Sequence, residues 1–337
     1  MKAVVLVGGE GTRLRPLTET IPKPLIPLVD RPILGHVLDH LGRHGVEEAV
    51  LSSPYLEPAF AAFLGERRGV PSVTWVTEPT PLDTAGAIAN AARHLDHTYL
   101  VLNGDFLTDL DLSALVAHHR ERGATATIAL GRVGDARPYG LVAVDETGRV
   151  LEFREKPADL VPGTVNAGTY VLEPEALSAV VPGTRVNIER EVFPALIAAG
   201  APVFGMVSSA YWIDLGTPEK YLRATFDLLE GLVSELTYPA PFVDPAASVS
   251  LLANLGRWVV AGQGSSIGPH AQVEDSVLMA AAAVRDGARV RDSILGPGAV
   301  VGAGALVEGA VLAEGARVPD GATSAGARLR AGEVLGA

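Results

Sequence analysis

A chain of 337 residues with 27 basic against 39 acidic side chains carries a formal net charge of −12, which argues against a general binder of nucleic acid or of anionic membranes, since both need a basic excess. It contains no cysteine, which excludes disulfides, thiolate metal sites and a cysteine nucleophile and fits a reducing compartment; a soluble cytoplasmic protein is expected. With 48% hydrophobic and 20% charged residues the length suffices for two domains and a substantial core, and no apolar run approaches the roughly 20 residues that span a bilayer.

The first predicted strand, "AVVLV" at 3–7, is too short for a signal-peptide core and breaks at once into Gly8-Gly9. A helical run at 32–45 and a strand at 47–53 follow, then a strand at 72–76 and a helix at 83–95. Next come "TYLVLNGD" at 98–105, a helix at 112–123 and a strand at 126–130. Near-continuous apolar strands alternating with helices predict a mostly parallel sheet covered on both faces, a Rossmann-like α/β layer. Such sheets bind ligands beyond the carboxyl ends of their strands. The loop after the first strand and the "NGD" turn at 103–105 both fall there.

That opening loop reads "GGEGTRLRPLT", with "PKPL" close behind. Gly8, Gly9 and Gly11 let backbone N–H groups approach an anion with no Cβ between, and Thr12 adds a hydroxyl. Arg13 and Arg15 bring planar cationic forks suited to phosphate, and Lys23 is a point charge between Pro22 and Pro24. The loop reads as a polyphosphate cradle of neither common type. A P-loop ends in G-K-[ST], and a G-x-G-x-x-G counted from Gly9 would need glycine where Leu14 stands.

Residues 217–236 predict an amphipathic helix with Leu222, Phe226, Leu229, Leu232 and Val233 on one face, followed by an extended, proline-rich stretch. From about residue 265 the pattern changes. Ile267, Val284, Val301 and Val318 are 17 apart, as are Val273, Val290 and Val307, and Leu278, Leu295 and Leu312. Three interlocked series at spacings of six, five and six predict three short strands per coil, a left-handed parallel β-helix built on hexapeptides. The expected division is a catalytic domain over 1–235, a linker over 236–264 and the β-helix over 265–337. So short a solenoid reads as an assembly module, and a homo-oligomer, a dimer or larger, is expected through it.

Several histidines invite other readings. His36, His40 and His44 share one helix face at a zinc-compatible spacing, but no H-E-x-x-H glutamate accompanies them; they read as surface positions, as do His118 and His119. His270, in the β-helix, invites an acyltransferase reading that the few coils do not favour.

The loop, with "EPTPLDTAGAI" (78–88), "LNGD" (102–105), "YG" (139–140), "EKP" (155–157), "NAGTYVLEPEAL" (166–177), "IEREVFP" (188–194), "WIDLGTPEKYL" (212–222) and the β-helix, resembles the sugar-1-phosphate nucleotidyltransferases along the whole chain. Within that family the motifs look most like the branch that transfers a guanylyl group to mannose 1-phosphate. The resemblance implies attack by a sugar-phosphate oxygen on the α-phosphorus of GTP, giving GDP-mannose and pyrophosphate with Mg2+ as cofactor. It implies catalytic roles for Arg13, Lys23 and Lys156, and a metal pair of Asp105 and Asp214. It places the nucleotide on Leu6, Gly8, Gly9, Gly11, Thr12, Glu78, Asp83 and Gly86, and the sugar on Gly140, Glu155 and Asn166.

Glu78 stands at the base-reading position, where an acceptor-only carboxylate matches the two neighbouring donors of guanine. Asp83 departs from the family's usual glycine and either caps the helix that follows or touches the nucleoside. Two other readings stand beside this one. One is the same chemistry on another pair, such as glucose 1-phosphate with UTP or dTTP. The other is a catalytically silent relative that senses nucleotide sugars, which the retained charged residues disfavour.

Overall fold

The structure, a computed structural model, describes residues 1–54, 58–78, 80–93, 95 and 97–336. Pro79 and His94 of the quoted segments, and Ala337 at the end of the expected β-helix, lie outside the described residues. The chain forms two compact units, one of residues 1–8 and 34–212, the other of 9–33 and 213–337.

The first unit is built on a nine-stranded sheet. Its strands are β1 (Lys2–Leu6), β2 (Glu48–Ser53), β3 (Ser72–Thr77), β4 (Tyr99–Asn103), β5 (Ala126–Val133), β6 (Gly140–Val144), β7 (Val150–Glu155), β8 (Gly163–Leu172) and β9 (Val203–Val207). The order is β7-β6-β8-β4-β1-β2-β3, with β5 pairing both β8 and β9. β1 lies parallel to β2 and β4, and β2 to β3, as the apolar strands predict. β8 runs antiparallel to β4 and β5, and β6 to β7, so the sheet is mixed rather than wholly parallel. Its helices are α1 (Ile33–Arg43), α2 (Pro58–Glu66), α3 (Asp83–Ala92), α4 (Leu112–Arg122) and α5 (Phe193–Ala198). Val4, Ile88, Val101, Ile128, Tyr170 and Phe193 belong to one buried core.

Registration explains where ligand-facing loops begin. Leu6 at the end of β1 pairs with Ser52 of β2 and Asn103 of β4, so three central strands end level. The Gly104 N–H donates to the Leu6 carbonyl at 2.9 Å, and a Cβ on Gly104 would sit 2.9 Å from the same oxygen. Only glycine allows that close turn, which sets Asp105 beyond the strand ends. Asp111 caps α4 by accepting from the Ala114 N–H, and Gly123 ends it in a left-handed conformation.

The histidines correct the surface reading: His36, His40 and His119 are buried. His119 Nδ1 lies 2.8 Å from Thr127 Oγ1 and Nε2 lies 3.2 Å from Glu173 Oε1, a structural role inside the sheet layer. Among the described residues no three His, Cys, Asp or Glu side chains gather as a metal cluster, and no helix is long and apolar enough to cross a membrane.

The second unit joins the glycine loop to α6 (Pro218–Leu229) and the β-helix. Thr217 caps α6, with Pro218 at its first position. Its buried face runs through Tyr221, Ala224, Thr225 and Leu228. Leu222 and Phe226, from the expected apolar face, line a groove of about 390 Å³ beside Ile294 and Val311.

The coils form three sheets of short parallel strands, six in one and five in each of the others. Stacking begins at Phe242, which pairs with Val260, so the segment expected as a linker over 236–264 is largely the first coil. Inward Val273, Val290 and Val307 and their counterparts on the other sides make a continuous core. At one corner, buried Ser276 and Ser293 accept from the backbone N–H of the residue 17 positions on, Ser293 and Ala310, at 3.1 and 3.0 Å. Each hydroxyl donates in turn to a carbonyl of its own coil, at 2.6 Å.

Candidate active site

The second unit carries the glycine loop and one of the expected metal ligands. Gly9 is exposed, and Gly11 adopts φ 58°. A Cβ on Gly11 would lie 2.9 Å from Thr18 Cγ2 and 3.1 Å from Lys23 Cβ, so the loop closes tightly only over glycine. The Thr18 hydroxyl fastens the turn by donating to the Gly11 carbonyl at 2.9 Å. Thr12 and Arg13 stay exposed on a single helical turn, while Lys23 is buried.

The loop converges on Asp214, itself buried. Arg13 and Lys23 each place a nitrogen 3.8 Å from its carboxylate, and Lys220 Nζ approaches to 3.1 Å. A Cβ on Gly216 would come within 2.6 Å of the Arg13 guanidinium, which accounts for the glycine two residues after the aspartate. Lys220 was not singled out from the sequence. A cation in the first turn of α6 opposes the helix dipole, and that misplacement is the signal that could have found it. Arg15 instead pairs with exposed Glu10 at 3.3 Å.

The first unit carries the remaining residues. Leu6 ends β1, and exposed Gly8 follows it. Glu78, directly beyond β3, is buried and accepts from the Ser52 hydroxyl and the Leu82 N–H, both at 3.0 Å. These bonds use one position on each carboxylate oxygen and hold the group's orientation. Asp83 adopts φ 60° and accepts from the Thr84 N–H at 2.8 Å and the Asn187 side-chain amide at 2.9 Å. It thus braces the start of α3 as its first residue, without forming a side-chain cap there.

Gly86 is buried, and a Cβ there would collide with the Thr184 carbonyl. The N–H groups of Ala85 and Gly86 are taken by the Val186 carbonyl at 2.9 and 3.1 Å. Close packing therefore suffices to explain this glycine. Asp105 is half-buried in the turn after β4.

Gly140 and Glu155 face each other across β6 and β7, and a Cβ on Gly140 would lie 2.9 Å from Glu155 Oε2. The strands thus bring two expected sugar contacts together. Lys156 follows at φ 51°, its backbone N–H donating to the Tyr139 carbonyl at 3.0 Å and its Nζ 3.6 Å from Glu155. Asn166, on β8, donates to the Tyr170 hydroxyl at 2.7 Å. Tyr170 and Glu189 were also passed over in the sequence, because their polar atoms meet only in the folded unit.

Chemically, the second unit offers groups that suit anions, and the first offers groups that suit a polar, hydroxyl-rich ligand. Arg13 and Lys23 supply positive charge; Glu155 and Asn166 supply an acceptor and an oriented amide.

Comparison with known proteins identifies the family. A family described as "Nucleotidyl transferase" matches residues 2–231, and one described as "GMPPB C-terminal domain" matches 237–329. The chain is 40% identical over 297 residues to "Mannose-1-phosphate guanylyltransferase" of Mycobacterium tuberculosis, covering 85% of this chain and 81% of the relative. It is 31% identical to "UTP--glucose-1-phosphate uridylyltransferase" of Synechocystis sp., covering 82% and 76%. Among solved structures, HddC from Yersinia pseudotuberculosis complexed with GMP-PN matches with a TM-score of 0.59 and 28% identity, over 67% of this chain and 98% of that one. The chain belongs to the nucleotidyl transferase family.

Proposed function

We propose that the protein transfers a guanylyl group from GTP to α-D-mannose 1-phosphate, releasing pyrophosphate and GDP-mannose. The observation that carries this reading is the convergence of Arg13 and Lys23, from a glycine-tightened loop, on buried Asp214. The 40% identical guanylyltransferase supports the choice of substrates, as does the acceptor-only Glu78.

The nucleophile already carries its oxyanion, so no general base is required. Catalysis then consists of neutralising charge and aligning the reactants. In this reading Arg13 holds the β- and γ-phosphates and stabilises the departing pyrophosphate. Lys23 neutralises charge near the attacked phosphorus, and Lys156 holds the incoming sugar phosphate. Leu6, Gly8, Gly9, Gly11 and Thr12 cradle the nucleotide with Glu78 on the base, while Gly140, Glu155 and Asn166 receive the sugar.

Asp105 and Asp214 are the proposed ligands of a divalent cation. Their hard oxygen donors suit Mg2+, which takes few protein ligands and completes its shell with water and phosphate oxygens. When bound, the ion supplies additional charge neutralisation at the phosphates.

The β-helix is proposed to mediate self-association, supported by Leu251 and Leu252, which are exposed on its first coils. Light scattering at several concentrations tests it. The reaction is tested by pyrophosphate release with Mg2+ across GTP, ATP, UTP and dTTP against mannose, glucose and N-acetylglucosamine 1-phosphates. Dominant turnover of the GTP–mannose pair is expected. Dominance of another pair would move the specificity, and an inactive grid with folded protein would overturn the enzymatic reading.

A further inference from the structure

Asn166 is one link in a series of hydrogen bonds whose donors all point toward a single carboxylate. The Gly168 N–H donates to Asn166 Oδ1 at 2.9 Å, Asn166 Nδ2 donates to the Tyr170 hydroxyl at 2.7 Å, and Tyr170 donates to Glu189 Oε1 at 3.2 Å. From the other side the Ile188 N–H donates to Thr84 Oγ1 at 2.8 Å, and the Thr84 hydroxyl donates to Glu189 Oε2 at 2.8 Å. Glu189 is the terminal acceptor of both arms.

Only a carboxylate accepts at both ends; an amide of the same shape has one accepting end and one donating end. The Gly168 N–H can only donate, so it fixes the oxygen of Asn166, and one amide hydrogen is then committed to Tyr170. The second amide hydrogen keeps a defined direction. Tyr170 cannot drift, because it is fully buried with its ring 5.2 Å from that of Phe193 in a T-shaped pair. Burial also raises the pKa of Glu189, and the neighbouring Glu155 charge adds to the rise. Holding a second carboxylate near Glu155 is unfavourable, so the position calls for an explanation beyond packing.

We propose that Glu189 is a positioning residue for the sugar end of the reaction. Through Tyr170 it sets the amide of Asn166 so that the free N–H meets a sugar hydroxyl oxygen, while Glu155 accepts from a sugar hydroxyl. Through Thr84 it ties that setting to the first turn of α3, beside Asp83. The inference rests on the proposed assignment of Asn166 and Glu155 to the sugar.

The test uses the full chain with Glu189→Gln and Tyr170→Phe, singly and together. Thermal melts, kcat, both KM values and calorimetric binding of mannose 1-phosphate are measured. Each single variant is expected to raise KM and Kd for the sugar phosphate about tenfold, leaving KM for GTP within about twofold. The double variant is expected to be no worse than the weaker single, because both cuts break one relay. Tyr170→Phe carries the test if Glu189→Gln does not fold.

Unchanged sugar-phosphate binding in a folded variant would overturn the inference, as would equal loss of affinity for both substrates. If the unaltered chain binds the sugar phosphate without turnover, and the variants lose that binding, the reaction falls and the positioning role stands. If the unaltered chain neither binds nor turns over, both fall.

Discussion

Lys220 Nζ stands 3.1 Å from Asp214 Oδ2, closer than either cation of the glycine loop. A lysine in the first turn of a helix is unfavourable by about 0.3–1 kcal/mol from the dipole alone, and the ion pair offsets it. If Asp214 is a metal ligand, Lys220 competes with the ion for the same oxygen. Lys220→Met is therefore expected to lower the Mg2+ concentration for half-maximal activity several-fold, while Asp214→Asn lowers kcat at least about 100-fold. Calorimetric titration with Mg2+ alone checks the first effect independently of turnover. An unmoved midpoint would remove Lys220 from the picture.

Glu78→Gln replaces an acceptor-only group by one that can accept at a single end. One of its bonds, to the Ser52 hydroxyl or the Leu82 N–H, must be remade, and the match to two guanine donors is lost. The ratio of kcat/KM for GTP over UTP is expected to fall about 10- to 100-fold, equivalent to about 1.4–2.7 kcal/mol. A ratio unchanged within twofold would show that the base is read elsewhere.

His40 gives a pH signature of stability. Burial, helped by His44 and Arg43, lowers its pKa from 6.5 to about 4, against weaker opposing effects from the Leu110 backbone and Asp109. The unfolded chain takes up a proton below about pH 6.5 that the folded chain refuses until about pH 4. Stability is therefore lost as pH falls through that window, by about 2 kcal/mol between pH 6.5 and 5. Chemical denaturation at these two pH values should show the loss, and His40→Leu should flatten it. An equally steep dependence in the variant would assign the effect to other groups.

Ser293→Ala removes the hydroxyl that accepts from the Ala310 N–H and donates to the Arg291 carbonyl. Because the site is buried, the orphaned N–H costs about 1–3 kcal/mol. The urea midpoint should fall accordingly, with nucleotide affinity unchanged. A neutral result would show that water replaces the hydroxyl.

The β-helix was legible because inward aliphatic positions recur at a fixed step, and the glycine loop because strand, glycine and cation follow one another directly. The start of the coils was misread for a physical reason. Phe242 pairs with Val260, Ser248 with Ser266 and Asn254 with Gln272, each 18 apart, whereas later partners such as Val277 and Ile294 are 17 apart. One extra residue in the first coil breaks the phase, and the prolines there read as a linker. Antiparallel β6 and β7 were illegible for another reason: exposed and buried residues mix in "VLEFRE", and neither clean alternation nor a continuous apolar run marks it. Glu189 was illegible because its partners Tyr170 and Thr84 lie 19 and 105 residues away, whereas Lys220, six residues from Asp214, left only its unfavourable place in the first turn of α6 as a signal.

The glycine loop has a history as well as a geometry. Its fastenings come from residues far along the chain. The Tyr221 hydroxyl reaches the Pro27 carbonyl at 2.5 Å across 194 residues, Tyr238 reaches Asp30 at 2.8 Å across 208, and Arg330 reaches Glu19 at 3.0 Å across 311. During synthesis these ties form in sequence, as residues 221, 238 and 330 emerge. Truncation after residue 235 would keep every residue proposed to act on substrate and still remove two of those three ties. The last of the three ties therefore couples the setting of the loop to completion of the coils.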